Sequence, residues 1–108
     1  MGTFEWGTYT EGGGGAFLSE METLQYVAAG TIIAITAVRE MHSAKFDKDQ
    51  WVVDFTDDSG EERSKSFAKG NIERDSRIAR LRDTLASTQE PIAARIVKVG
   101  RRYDVAGA

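Results

Sequence analysis

The chain has 108 residues, 41% hydrophobic and 29% charged, with a formal net charge of −3 and no Cys. That length supports one hydrophobic core, because two separate cores would each be too small to hold together. Without Cys, disulfide scaffolds, thiol nucleophiles, iron–sulfur clusters and Cys-based zinc sites are excluded. No apolar run reaches the roughly 18–20 residues that a helix needs to cross a bilayer, and no basic segment leads into an apolar one at the start. The expectation is a cytoplasmic domain with no membrane contact.

Net charge hides an asymmetry. Residues 1–62 carry three basic side chains (Arg39, Lys45 and Lys48) against twelve acidic ones, whereas residues 63–108 carry eleven against five. The second half can present a basic face unless the topology mixes the two halves.

In chain order, residues 1–16 (MGTFEWGTYTEGGGGA) contain six Gly, four of them consecutive. Such a run loses too much backbone entropy to sit in a helix or strand, so the segment reads as a flexible arm. It is not a phosphate-binding loop, since no Lys-Ser or Lys-Thr follows Gly15. Its Phe4, Trp6 and Tyr9 either dock back on the domain or are held out to meet something. Residues 17–108 read as the folded domain.

Thr31–Arg39 is rich in β-branched residues and predicts a strand buried on both faces or nearly so, followed by a polar loop over 40–50. Trp51–Thr56 alternates, with Trp51, Val53 and Phe55 inward. Asp57–Gly60 predicts a turn, and Glu62–Ala68 the returning strand of a hairpin. A helix follows, capped by Asn71 or Asp75, with Ile78, Leu81 and Leu85 at helical spacing and Arg74, Arg77, Arg80 and Arg82 on a solvated face. Pro91 ends that region. Ile92–Val99, a tight turn at Gly100-Arg101 and Arg102–Val105 complete the chain as two more strands. This order predicts a mainly β fold: a five-stranded OB-like Greek-key barrel with one helix between strands 3 and 4. An open sheet backed by one helix is the alternative.

The segments ‘AAGTIIAITAVRE’, ‘AKFDKDQWVVDFTDDSGEE’, ‘KSFAKGN’ and ‘PIAARIVKVGRRYDV’, in that order, carry a resemblance over roughly residues 17–105. They look like the small OB-fold single-stranded-DNA-binding proteins of bacteriophages and related mobile elements. The resemblance implies sequence-independent binding of single-stranded DNA in phage-type replication or recombination, in the host cytoplasm if phage-encoded. It implies replication or recombination proteins as further partners. RNA binding and a homodimer stay open.

Such binding needs cations along the phosphates and aromatic faces for the bases. Three basic-plus-aromatic clusters fit: Lys45, Phe46 and Lys48 in the first loop; Arg63, Lys65, Phe67 and Lys69 along strand 3; Arg101, Arg102 and Tyr103 at the last turn. If Ser64, Ser66 and Ala68 face inward, the Arg63–Lys65–Phe67 face points out at the ligand. Phe67 and Tyr103 can equally be core residues, and Trp51 reads as core. Catalysis has little to use: His42 is the only His, no nucleophile elbow is present, and the carboxylates lack calcium-loop spacing. No enzyme activity, cofactor or metal is expected. The competing reading is a small OB-like protein-interaction module, a phage-encoded inhibitor or DNA mimic of a host enzyme, acting through Asp47, Asp49, Asp54, Asp57, Asp58, Glu61 and Glu62.

Overall fold

A computed structural model describes residues 17–44 and 47–108; the expected arm, residues 1–16, lies outside the described residues. The elements are α1 (Glu20–Ala29), β1 (Ile33–Ser43), β2 (Lys48–Thr56), β3 (Glu62–Ala68), α2 (Ile72–Thr88), β4 (Ile92–Val99) and β5 (Arg102–Gly107). The strands form one antiparallel sheet in the order β3-β2-β1-β4-β5. The fold is mainly β, with two helices. Trp51, Val53 and Phe55 of β2, Ile33 and Ile35 of β1, and Ala94 and Ile96 of β4 build one face of the sheet into the core, where Ile78 and Leu85 of α2 meet them.

The sheet is open, where a closed barrel was expected. Among the described residues β3 and β5 are its two edges and share no ladder. A side chain stands between them. Arg74, from the first turn of α2, donates to the carbonyls of Ala68 at 2.5 Å and Tyr103 at 2.9 Å, so edge carbonyls bond to a guanidinium instead of to each other's strand.

β1 departs from expectation in burial and length. Ile33 and Ile35 point into the core, but the register shifts between Ile35 and Ala37. The extra residue, Thr36, reverses the parity beyond it. Val38 therefore packs against the core opposite Val53, while Arg39 turns outward and binds Asp54 at 2.7 and 2.9 Å. One face of β1 is buried, not both. The expected polar loop over 40–50 is mostly ladder, since β1 and β2 pair out to Ser43 and Lys48. His42 sits in that ladder, 2.9 Å from Asp49 and 3.2 Å from Asp47.

α1 was not anticipated, although Ser19-x-x-Glu22 is a capping box. The Ser19 hydroxyl accepts from the Glu22 amide at 3.1 Å, and the Glu22 carboxylate accepts from the Ser19 amide at 3.0 Å. Gly30 ends the helix at φ 62°, a left-handed conformation that carries little penalty without a Cβ. The helix packs on β4 and is clamped to β3 by Arg63, one of whose nitrogens reaches both Glu22 oxygens at 3.0 and 2.9 Å. The Ser19 amide, and then Arg63, hold Glu22 below its ordinary pKa.

Tyr26 of α1 donates to Asp57 at 2.8 Å, and Asp57 also collects the Ser59 amide and hydroxyl and the Glu61 amide, at 3.0, 2.7 and 2.9 Å. One carboxylate thus ties α1 to the β2–β3 turn. Partial burial pushes its pKa up, but the bonds from Ser59, Tyr26 and Glu61 outweigh that and hold it at about 2. Tyr26 is pushed up to about 12, by burial and then by Asp57. Because Asp57 titrates lower in the folded chain than its ordinary 3.8, its contribution is complete above that value and lost as pH falls through about 2. Asp57→Asn should lower the urea midpoint at neutral pH and flatten the dependence of stability on pH across that acid window. An unchanged acid slope in urea titrations would refute this role.

Candidate nucleic-acid interface

The site grows from the way α2 begins. Gly70, at φ 127°, turns the chain out of β3, and the Asn71 side chain caps the helix by accepting from the Arg74 amide at 3.0 Å. Asp75, the other expected cap, instead accepts from the Trp51 indole at 3.1 Å and the Gly70 amide at 3.0 Å. Helical side chains lean toward the N-terminus. Arg74 therefore turns back under its own first turn, into the gap between β3 and β5. It is 8% exposed, not on the solvated face expected from its spacing. Its Nε is the buried side-chain nitrogen left without a hydrogen-bond partner among the described residues.

Around Arg74 the surface is concave. Three adjoining depressions of about 510, 350 and 140 Å³ all have Arg74 and Arg102 in their walls. The largest lies over the start of α2 with Lys69 and Ile72; the second runs along the edge of β3 with Lys65 and Phe67; the third touches Val99 and Asp104. Together they make one cleft between the two sheet edges. Its cations come from three elements and the β3–α2 link: Lys65 from β3, Lys69 from the link, Arg74 from α2 and Arg102 from β5. Among the described residues, Lys65, Arg74, Arg101 and Arg102 have no carboxylate within 4.0 Å, and neither do Lys48, Arg80, Arg95 and Lys98, which lie outside the cleft. Arg39, Arg63, Lys69, Arg77 and Arg82 all have one.

The three expected clusters fare differently. Lys45 and Phe46 lie outside the described residues, and Lys48 is exposed at the start of β2. On β3 the expected orientation is reversed. Phe67 is 3% exposed and opposes Trp51 in the core, because Arg63, Lys65 and Phe67 share the face of Phe55, Val53 and Trp51 across the ladder. Ser64 and Ser66 oppose Asp54 and Val52 on the other face, and Ser64 donates to Asp54 at 2.6 Å. Arg63 is spent on Glu22, and Lys69 is paired with Glu40. Lys65 survives as a candidate: it follows the core face to the edge, where its ammonium lies 5.1 Å from the Tyr103 ring. Arg101 and Arg102 are exposed at the last turn. Tyr103 is half-buried, with its ring against the core and its hydroxyl donating to Glu20.

Aromatic platforms are scarce for the same reason. Trp51 is buried with Lys69 at 4.4 Å and Arg82 at 5.5 Å over its ring. Those cations occupy a face that a base would need. The uncovered apolar side chains beside the cleft are aliphatic: Ile72 at 82% and Val99 at 63% exposure. Sequence spacing missed both, and missed Arg74.

Phe67→Ala therefore probes the core before it probes any ligand. It should cost about 3–5 kcal/mol of stability, with Phe67→Leu costing much less. Urea denaturation measures this, and a Phe67→Ala protein of native stability would move Phe67 back to the surface. Compared with known family models, curated proteins and solved structures, the chain has no match in any of the three.

Proposed function

We propose that the chain binds single-stranded DNA without sequence preference, along the cleft between the edges of β3 and β5, as a phage-type replication or recombination factor. The observation that carries this reading is the convergence of Lys65, Arg74 and Arg102, none with a carboxylate partner among the described residues, on the wall of one hollow, with Arg101 next to them at the last turn. Like charges at close quarters destabilise a fold unless a counter-charge arrives, and a phosphate backbone supplies it. Ile72 and Val99 offer apolar contact to bases beside those cations.

The strand order supports the same reading. Three consecutive antiparallel strands, β1 to β3, are followed by a fourth that returns through α2 to lie beside the first. That is the order of a Greek key. We read this strand order, with β3 and β5 bridged by Arg74, as that of a partly open OB-like barrel, a fold whose oligonucleotide surface includes strand 3 and the last hairpin loop. The competing inhibitor or DNA-mimic reading draws in part on carboxylates that the fold itself uses. Asp54 holds Arg39 and Ser64, Asp57 holds the β2–β3 turn, and Asp49 faces His42.

Fluorescence anisotropy with labelled oligo-dT tests the proposal. Binding should appear at about 50 mM salt and weaken as salt rises, with a slope near 0.7 per phosphate contact. Arg102→Ala should weaken binding and reduce the slope by roughly one contact's worth. Absence of binding at about 50 mM salt, or an unchanged slope in Arg102→Ala, would overturn the assignment to this cleft.

A further inference from the structure

Lys65, Arg74 and Arg102 line one hollow together. Arg74 is nine-tenths buried, and among the described residues its guanidinium is met by two neutral carbonyls and, at 5.9 Å, the Phe67 ring, with no carboxylate within 4.0 Å. A buried cation held this way keeps most of its desolvation penalty, since carbonyl dipoles offset it less well than a carboxylate does. Lys65 is half-buried beside it, over the Phe67 and Tyr103 rings at 5.9 and 5.1 Å, and its ammonium makes no hydrogen bond among the described residues. Arg102, exposed, completes the wall of the same depression of about 350 Å³. Three cations from β3, α2 and β5 thus converge on one hollow, with Tyr103 beside them. Burial lowers the Lys65 pKa; the charge of Glu20 partly opposes this, and the charge of Arg74 adds a smaller push in the same direction as burial.

The geometry points to a seat for a single phosphate group, held by Lys65 and Arg102 from the two sheet edges with Arg74 supplying charge from beneath. A phosphate offers several acceptor oxygens, so it can take the Lys65 ammonium and the Arg102 fork together in charge-assisted hydrogen bonds. It would also compensate the buried charge of Arg74 without needing to displace the carbonyls of Ala68 and Tyr103. A carboxylate carries less charge, and chloride cannot span two strands. The seat rests on the cleft proposed above for its location, but phosphate is the shared chemistry of a DNA backbone and of a small phosphorylated molecule.

Two measurements on the full chain separate those sources. The first titrates inorganic phosphate, at pH 7 and constant ionic strength in NaCl, and follows the phosphorus NMR signal. The native chain should give a saturable change. Lys65→Met and Arg102→Ala should each weaken it about tenfold or more, the effect of losing a charged hydrogen bond. Arg95→Ala, at an exposed position of β4 outside the hollow, should leave it intact. Since Arg102 is exposed, its variant keeps the test valid even if Lys65→Met fails to fold. The second measurement asks whether phosphate displaces labelled oligo-dT. Saturable binding with displacement supports the seat and assigns it to the backbone. Saturable phosphate binding without any oligo-dT binding supports the seat, removes the single-strand reading and leaves a small phosphorylated ligand. Oligo-dT binding with no saturable phosphate signal, or equal phosphate affinity in the native and Arg102→Ala chains, overturns the seat and leaves the single-strand reading standing.

Discussion

A single guanidinium decides how far this sheet closes. Arg74 holds the end of β3 and the start of β5 by one carbonyl each, bridging the two edges at about its own width. They also cannot zip together, because the group that joins them occupies the seam. Everything distinctive about the molecule's concave side follows from that. The core continues up to the seam through Phe67 and Tyr103, then meets a charge that water barely reaches. The arrangement is costly in a low-dielectric site. It survives because the Asn71 cap fixes the helix start and both carbonyls are aimed at the same group.

Charge asymmetry along the chain turns out to be a device for internal pairing. Glu22 of the acidic half holds Arg63, and Glu40 holds Lys69 and Arg82. Glu20 takes the hydroxyl of Tyr103. The basic half also pairs within itself, through Arg77 and Asp104. Topology therefore mixes the halves over much of the surface, as β1 and α1 are laid against the elements that follow them. The mixing stops at the seam, where among the described residues no element from the acidic half brings a carboxylate within pairing distance of Arg74 or Arg102.

Legibility in the sequence tracked how local each cause was. The β2 alternation is a two-residue period in a strand with one buried face, so Trp51, Val53 and Phe55 read correctly as core from their spacing alone. The bulge at Thr36 has no composition signal in a run as uniformly β-branched as TIIAITAV, and it inverted the facing of Val38 and Arg39. For β3 the period was right and the face was wrong: Arg63-Ser64-Lys65-Ser66-Phe67 offers cations on one side and serines on the other, and small polar residues looked like the inner set. The cross-strand partners decide this, since Phe67 opposes Trp51 and is drawn inward with it. The Ser19–Glu22 capping box is present in the sequence, but the segment it opens carries only a weak apolar stripe, so periodicity alone does not mark the helix. Arg74 could not be found at all from spacing, because one arginine among four on a helix carries no mark of burial.

The form of the seam explains why the candidate site is chemical and not merely geometric. Had β3 and β5 paired by backbone bonds, each bond would contribute about 0.5–1.5 kcal/mol net and would leave neither charge nor open space behind. Joining them through an arginine keeps the hollow open and places a fixed positive charge at its floor. Lys65 and Arg102, standing on the two edges so joined, are then held at a separation that the scaffold sets. A ligand with several acceptor oxygens can bridge them and finish the closure that the backbone leaves incomplete. On this view the open edge is the functional feature: binding and the last step of sheet closure draw on the same three side chains, so a ligand that neutralises them should also hold β3 and β5 together.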